Sequence, residues 1–150
     1  MNVEIRECPQ IRIAGIRHIG PYNEIGRSFQ RLGSVLKGPP PEGSQMIAVF
    51  HDDPATTPAD RLRSDAAMTL PNNAKTPDGL IEQRIPAGRY ARTVHKGPYE
   101  GLPATWNALK NEWLPKSGHK MGTASYELYV NNPMTTEKSE LVTEIYLRIG

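Results

Sequence analysis

The segment HIGPYNEI, from His18 to Ile25, returns as HKGPYEGL from His95 to Leu102. A chain that carries one turn twice, with the same surroundings each time, is constrained to fold as two similar halves. The surroundings do repeat. Ile25, Phe29, Leu32 and Leu36 align with Leu102, Trp106, Leu109 and Trp113. Their spacing by four, three and four is the stripe of an amphipathic helix. Helices are therefore expected over roughly Tyr22–Lys37 and Tyr99–Leu114. Pro21 and Pro98 stand near each helix start, where a missing N–H costs nothing.

Each helix follows a strand, IRIAGIRHI in the first half and RYARTVHK in the second, and each ends in a loop rich in Pro and Gly. Then come QMIAVFHDDP and ASYELYVNNP, apolar runs stopped by two Asx residues and a proline. The last strands, LRSDAAMTL and LVTEIYLRI, align Asp65 with Glu144. Each half thus reads strand, helix, strand, strand. The expected fold class is α+β: antiparallel sheets with two long helices and a central cleft between pseudo-two-fold halves. One domain over 1–150 is expected, with repeats of about 1–70 and 80–150 joined by the turn-rich linker 71–79.

Composition removes several function classes. The net charge of +2 gives no field for nucleic acid or anionic membrane, and it does not imitate a DNA backbone. The single cysteine, Cys8, excludes an internal disulfide and a multi-cysteine metal site. No long apolar run or signal-peptide layout is present, so a cytoplasmic protein is expected. The chain begins directly at a strand, with no room for a helix-turn-helix, and direct DNA binding is not expected. P-loop, nucleotide-fingerprint, GxSxG and HExxH motifs are absent. No cofactor and no metal site are expected.

The final strand alternates cleanly. Ile145, Leu147 and Ile149 share one face, and Glu144, Tyr146 and Arg148 share the other. With the helices packed on the apolar face, the other face of the sheet is expected to stay free as a cleft. On the neighbouring strand Glu127 and Tyr129 share a face, so the two strands are expected to form one Glu/Tyr-rich surface. Asp65, Ala67 and Phe50 would match it in the first half. The expected ligand-binding residues are Glu144, Tyr146, Tyr129, Phe50 and Trp106. A carboxylate among aromatic rings suits a flat organic cation, each ring face adding roughly 0.5–2 kcal/mol. The plainer reading makes Glu144 a solvated carboxylate paired with Arg148.

Other candidates read as structural. His18 and His95 end equivalent strands and fit turns. His51-Asp52-Asp53 precedes a proline, as Asn131-Asn132 does, and reads as a turn rather than a metal site. Trp106 and Trp113 lie on the helix stripe, with Trp106 better placed to reach the cleft. Arg84, Arg89, Arg92 and Lys96 read as a solvated face. Cys8 has no base near it in sequence.

The stretches IRIAGIRHIGPY, DRLRSDAAMTL, PAGRYARTVHKGPYEGLPATWNALKNEWLPKSG and SYELYVNNPMTTEKSELVTEIYLRI resemble, in order, the bacterial GyrI-like family. That family includes stand-alone DNA gyrase inhibitors and the effector-binding domains of AraC-type and MerR-type regulators. The resemblance implies the tandem fold argued above and a pocket whose acidic group, on the TEIY-like strand, carries to Glu144. It leaves three activities open. One is multidrug-type binding of small amphipathic or cationic compounds in toxin or drug protection. Another is inhibition of DNA gyrase by protein contact. The third is hydrolysis of strained cyclopropane-type electrophiles, for which Glu144 would be the catalytic residue.

Overall fold

The computed structural model describes residues 1–150. The repeated corner sets its architecture. β2 (Ile11–Ile19) and β6 (Gly88–Lys96) each end at a glycine, Gly20 and Gly97. These take φ values of 135° and 127°, a region that a Cβ disfavours. The histidine two residues earlier then clamps the corner. His18 Nε2 lies 3.0 Å from the Pro21 carbonyl and its Nδ1 3.0 Å from Ser28 Oγ. His95 repeats this with Pro98, at 2.9 Å, and Thr105, at 2.8 Å. A carbonyl only accepts, so each Nε2 donates to its proline carbonyl.

Beyond each corner lies a short 3₁₀ turn, Tyr22–Glu24 or Tyr99–Gly101, and then a helix. The first is α1 (Gly26–Val35). The second begins as α2 (Leu102–Ala108), passes through a π-helical turn over Leu109–Trp113 and finishes as α3 (Leu114–Ser117). The returning strands are β3 (Met46–Phe50) and β4 (Arg63–Thr69) in the first half, and β7 (Ser125–Tyr129) and β8 (Val142–Ile149) in the second. Asp52 and Asn131 are equivalent residues and do the same work. Each accepts a hydrogen bond at 2.9 Å from the backbone N–H that opens the last strand, that of Arg63 or Val142.

The expected strand-helix-strand-strand repeat is present, and each half carries one strand more. β1 (Glu4–Cys8) and β5 (Ile81–Ile85) precede β2 and β6. Both, EIREC and IEQRI, are short and charged, as edge strands tend to be, and too short for their alternation to stand out. All eight strands join in one antiparallel sheet of order β1-β6-β8-β7-β3-β4-β2-β5. The leading strand of each half therefore pairs with a strand of the other half, β1 on β6 and β5 on β2.

That order forces curvature. In a flat sheet β1 and β2 would lie about 29 Å apart, at about 4.8 Å per strand. Only Pro9 and Gln10 link them, and such a link reaches about 10–11 Å. Pro86 and Ala87 impose the same constraint on β5 and β6. The sheet therefore curls on the face away from the helices. Ile13, Ile47, Val49, Ala67, Ile85, Tyr90, Tyr126 and Tyr146 pack inside that curl, all less than a tenth exposed. The expectation of a free sheet face opposite the helices is thus corrected: the strand links close that face into a core.

The other face carries the helices. Leu32 of α1 packs with Ala14, Met68, Leu70 and Leu80. Leu102 and Leu109 pack with Ala91, Ile145, Leu147 and Ile149. Between the two packed halves run the central strands β3 and β7. No helix is long and apolar enough to cross a membrane.

Candidate functional site

The register of β3 and β7 decides which side chains meet between the helices. Ala48 lies opposite Glu127, and Phe50 opposite Ser125. Glu127 faces the helices, because Trp106 Nε1 of α2 donates to its Oε1 at 2.6 Å. Tyr129, two residues on, shares that face and donates its hydroxyl to Glu127 Oε2 at 2.7 Å. Tyr126 and Leu128 point the other way, into the curled core or its margin.

Six aromatic rings are linked to this carboxylate through its two donors, three from each repeat. Tyr22, Phe29 and Phe50 of the first half correspond in the repeat to Tyr99, Trp106 and Tyr129 of the second. Their contacts obey the same symmetry. Tyr22 meets Phe50 at 4.8 Å between centroids, and Tyr99 meets Tyr129 at 5.4 Å. Across the halves Phe50 meets Trp106 at 5.9 Å, and Phe29 meets Tyr129 at 5.8 Å. The rings thus form two three-membered chains, one toward each end of the cleft, with Glu127 on the floor between them.

Glu127 is 6% exposed. None of the molecule's ion pairs includes it. Burial pushes its carboxyl above the usual range, only partly offset by the Tyr129 and Trp106 donors and by His95. The buried Tyr129 hydroxyl is raised well above its ordinary value, by burial and then by the Glu127 charge. A buried carboxyl held by two neutral donors and no cation has room for one unit of positive charge.

The structure separates the five expected site residues. Tyr129, Phe50 and Trp106 come together on the helix side of the sheet, over Glu127. Glu144 and Tyr146 lie on the opposite face, because β8 pairs with β7 in a register that sets Glu144 against Leu128 and Tyr146 against Tyr126. The expected single Glu/Tyr surface does not form: Glu127 lies opposite Ile145, on the helix side. Glu144 also has its counter-charge. Arg92 Nη2 lies 2.9 Å from Oε2, and Tyr146 donates to Oε1 at 2.7 Å. Burial would raise this carboxyl, but Tyr146 and Arg92 outweigh it and hold it below its ordinary value. Glu144 is thus paired, but not with the Arg148 of the plainer reading. The paired arginine comes from the adjacent strand, while Arg148 reaches the Tyr90 hydroxyl at 3.3 Å.

Asp65, the repeat partner of Glu144, is likewise neutralised. It accepts from Arg17 Nε at 2.8 Å and from Gln83 at 3.2 Å, and pairs with His51 Nε2 at 2.6 Å. With His51 and Gln83 it edges a concavity of about 240 Å³ on the curled side of the sheet. Asp52 and Asp53 cap the turn expected there. His51 turns back to Asp65, a contact that no local pattern in the sequence announces.

Sequence reasoning placed Glu127 on the same face as Tyr129 but missed its role. One signal was available. Aligning the repeats through the Asx-Pro turns sets Glu127 against Ala48, a charge against an alanine inside an apolar strand. That is a larger break in the symmetry than Asp65 against Glu144.

A duplicated α+β scaffold whose halves meet at a ring-covered carboxylate on the two-fold axis defines a small-molecule-binding module of the effector-binding class. The chain belongs to the GyrI-like small-molecule-binding domain family, whose profile matches residues 1–149. It is similar to a DNA gyrase inhibitor of Yersinia enterocolitica, 33% identical over 85% of each chain. It also resembles a DNA gyrase inhibitor of Citrobacter koseri, 28% identical over 99% of this chain and 98% of that one. Among solved structures, the C-terminal domain of EcmrR superposes with a TM-score of 0.76 at 20% identity, covering 99% of this chain and 97% of that one. A protein solved with tetraphenylphosphonium bound superposes with a TM-score of 0.73 at 12% identity, covering 100% and 94%. At these identities the two structures establish likeness of fold.

Proposed function

We propose that the protein binds small aromatic organic cations in the helix-side cleft, with Glu127 as counter-charge, and that it protects by sequestering them. The reading rests on one observation: a buried carboxyl beneath six rings, hydrogen-bonded by Trp106 and Tyr129 but paired with no cation. Tyr129, Phe50 and Trp106 supply ring faces, and Tyr22, Tyr99 and Phe29 complete the wall. The rings pack on one another, so a ligand enters by rotating them apart. Cation–π attraction of roughly 0.5–2 kcal/mol per ring favours a flat or aryl-bearing cation over ammonium or a metal ion. That a protein of the same fold holds tetraphenylphosphonium supports this choice of chemistry.

Titration calorimetry with tetraphenylphosphonium tests the reading. Wild-type protein is expected to bind it, and Glu127→Gln to weaken binding about tenfold or more, the charge pair being worth a few kcal/mol in a half-dry site. Glu144→Gln should leave the affinity nearly unchanged. Equal affinity of wild type and Glu127→Gln would refute the assignment.

A second reading has its own support: several relatives that match most of this chain are named DNA gyrase inhibitors. Under it the protein contacts gyrase directly. Inhibition of supercoiling by purified protein, undiminished by Glu127→Gln and by saturating tetraphenylphosphonium, would favour it over sequestration.

A further inference from the structure

The two ends of the cleft are related by the repeat, yet only one is tied shut. Beside the Phe50–Trp106 contact, Lys110 Nζ reaches Asp53 Oδ1 at 3.3 Å. Lys110 lies one turn beyond Trp106 on the same helix, and Asp53 lies three residues beyond Phe50. The bridge therefore joins the second half's helix to the first half's loop across that end. Its side chains are 23% and 35% exposed, partly shielded from water.

At the other end the equivalent residues are Gly33 and Asn132. They flank the Phe29–Tyr129 contact as Lys110 and Asp53 flank Phe50–Trp106. No bridge can form there. Gly33 has no side chain, and a Cβ built on it meets nothing within 4 Å. Asn132 is neutral and uses its Oδ1 to accept from the Met134 N–H at 2.8 Å. Asp53 caps its own turn in the same way, accepting from the Ala55 N–H at 2.9 Å, and still holds Lys110. The turns are alike; the bridge is the difference.

We infer that the Lys110–Asp53 bridge makes the cleft one-ended, so that ligands enter and leave past Gly33 and Asn132, with Lys110 a positioning residue for the closed end. This rests on the helix-side cleft being the ligand site. The inference also restricts the ligand class. A ligand longer than the site must project its tail from the Gly33 end alone.

The repeat itself supplies the experiment. Gly33→Lys with Asn132→Asp installs the missing bridge, on a site with open space and an aspartate that can cap as Asp53 does. Stopped-flow association of tetraphenylphosphonium is expected to slow about tenfold or more in this double variant. Lys110→Ala should instead speed association and dissociation together. A measurement without ligand separates this inference from the site assignment. In a Trp113→Phe background Trp106 is the sole tryptophan, and Lys110→Ala should raise its quenching by acrylamide about twofold as the tied end opens. Unchanged quenching in Lys110→Ala, or unchanged association in the double variant, would overturn the one-ended cleft while leaving Glu127 as the site. If quenching rises while tetraphenylphosphonium fails to bind wild type, the bridge stands and the ligand reading falls.

Discussion

Glu127 lies directly across the β3–β7 ladder from Ala48, its own counterpart in the other repeat. On a two-fold axis a residue and its counterpart are neighbours, so a charge carried by only one of them becomes a single charge at the centre of an otherwise duplicated site. Duplicated aromatic walls over an unduplicated carboxylate suit a ligand with several hydrophobic arms and one positive centre. Neither half could make that site alone.

The first consequence is a proton linkage. Burial raises the Glu127 carboxyl in the empty cleft, and a bound cation favours its ionised form. Binding should therefore release a proton. Below the pKa of the empty cleft, apparent affinity should fall about tenfold per pH unit. Calorimetry in buffers of different ionisation enthalpy should show the release, and Glu127→Gln should abolish it. A pH-independent affinity would contradict the linkage.

The same raised pKa sets a stability difference. A carboxyl whose folded pKa exceeds its unfolded value disfavours the fold when ionised, and the penalty shrinks as pH falls below the folded value and is gone below the unfolded one. Glu127→Gln should thus be more stable than wild type near pH 8, and the gap should close only by about pH 4, below the unfolded carboxyl's value. Urea unfolding at several pH values measures it.

The corner histidines predict a matched pair. His18→Ala and His95→Ala each remove two hydrogen bonds that tie a strand end to a helix start. Each should cost about 1–3 kcal/mol, with the larger loss at the more buried His18. Neither should change affinity for a cleft ligand beyond what destabilisation causes. A loss at one site only would mean that the repeat is geometric and not energetic.

How far the sequence carries follows from these same residues. The corners, the helix stripes and the Asx-Pro turns are local patterns, and the repeat confirms each by showing it twice. β1 and β5 escaped because five-residue edge strands with two or three charges have no strong period. The site was partly legible. Phe50, Tyr129 and Trp106 lie on elements whose faces the pattern fixes, but Glu144 and Glu127 could be told apart only by register. A shift of one residue between β7 and β8 exchanges their faces. That register depends on where the strands start, which Asn131 and Val142 settle through a side-chain hydrogen bond. The curl of the sheet comes from pairings between residues far apart in the chain, such as Glu4 with Arg92 and Ile11 with Ile85.

Asp65 and Glu144 lead to an acid-side prediction opposite in sign to that for Glu127. At Asp65 burial raises the carboxyl, but His51 and Arg17 outweigh it and leave the pKa lowered; Glu144 is lowered by Tyr146 and Arg92 against the same effect. A depressed folded pKa contributes stability above the unfolded value, and that stability is lost as pH falls through the folded one. Wild-type stability should drop below about pH 4, and Asp65→Asn should flatten the drop while lowering stability at pH 7. A parallel acid profile in Asp65→Asn would place the loss elsewhere.

Restoring the symmetry is the severest test of the axis. Ala48→Glu sets a second carboxyl directly opposite Glu127, in a position fully shielded from water. Two buried carboxyls that close cannot both ionise without cost, so they should titrate as a coupled pair sharing a proton. At neutral pH the variant should lose about 3–5 kcal/mol, the scale of an uncompensated buried charge. Ala48→Gln measures the steric share of that loss. The remainder should shrink as the pH is lowered to about 5, because protonating the pair removes the repulsion. It should also shrink at neutral pH when Glu127→Gln is added, since one carboxyl of the pair is then gone. If Ala48→Glu and Ala48→Gln lose the same stability at every pH, the two residues do not share a floor, and the cleft does not lie on the repeat axis.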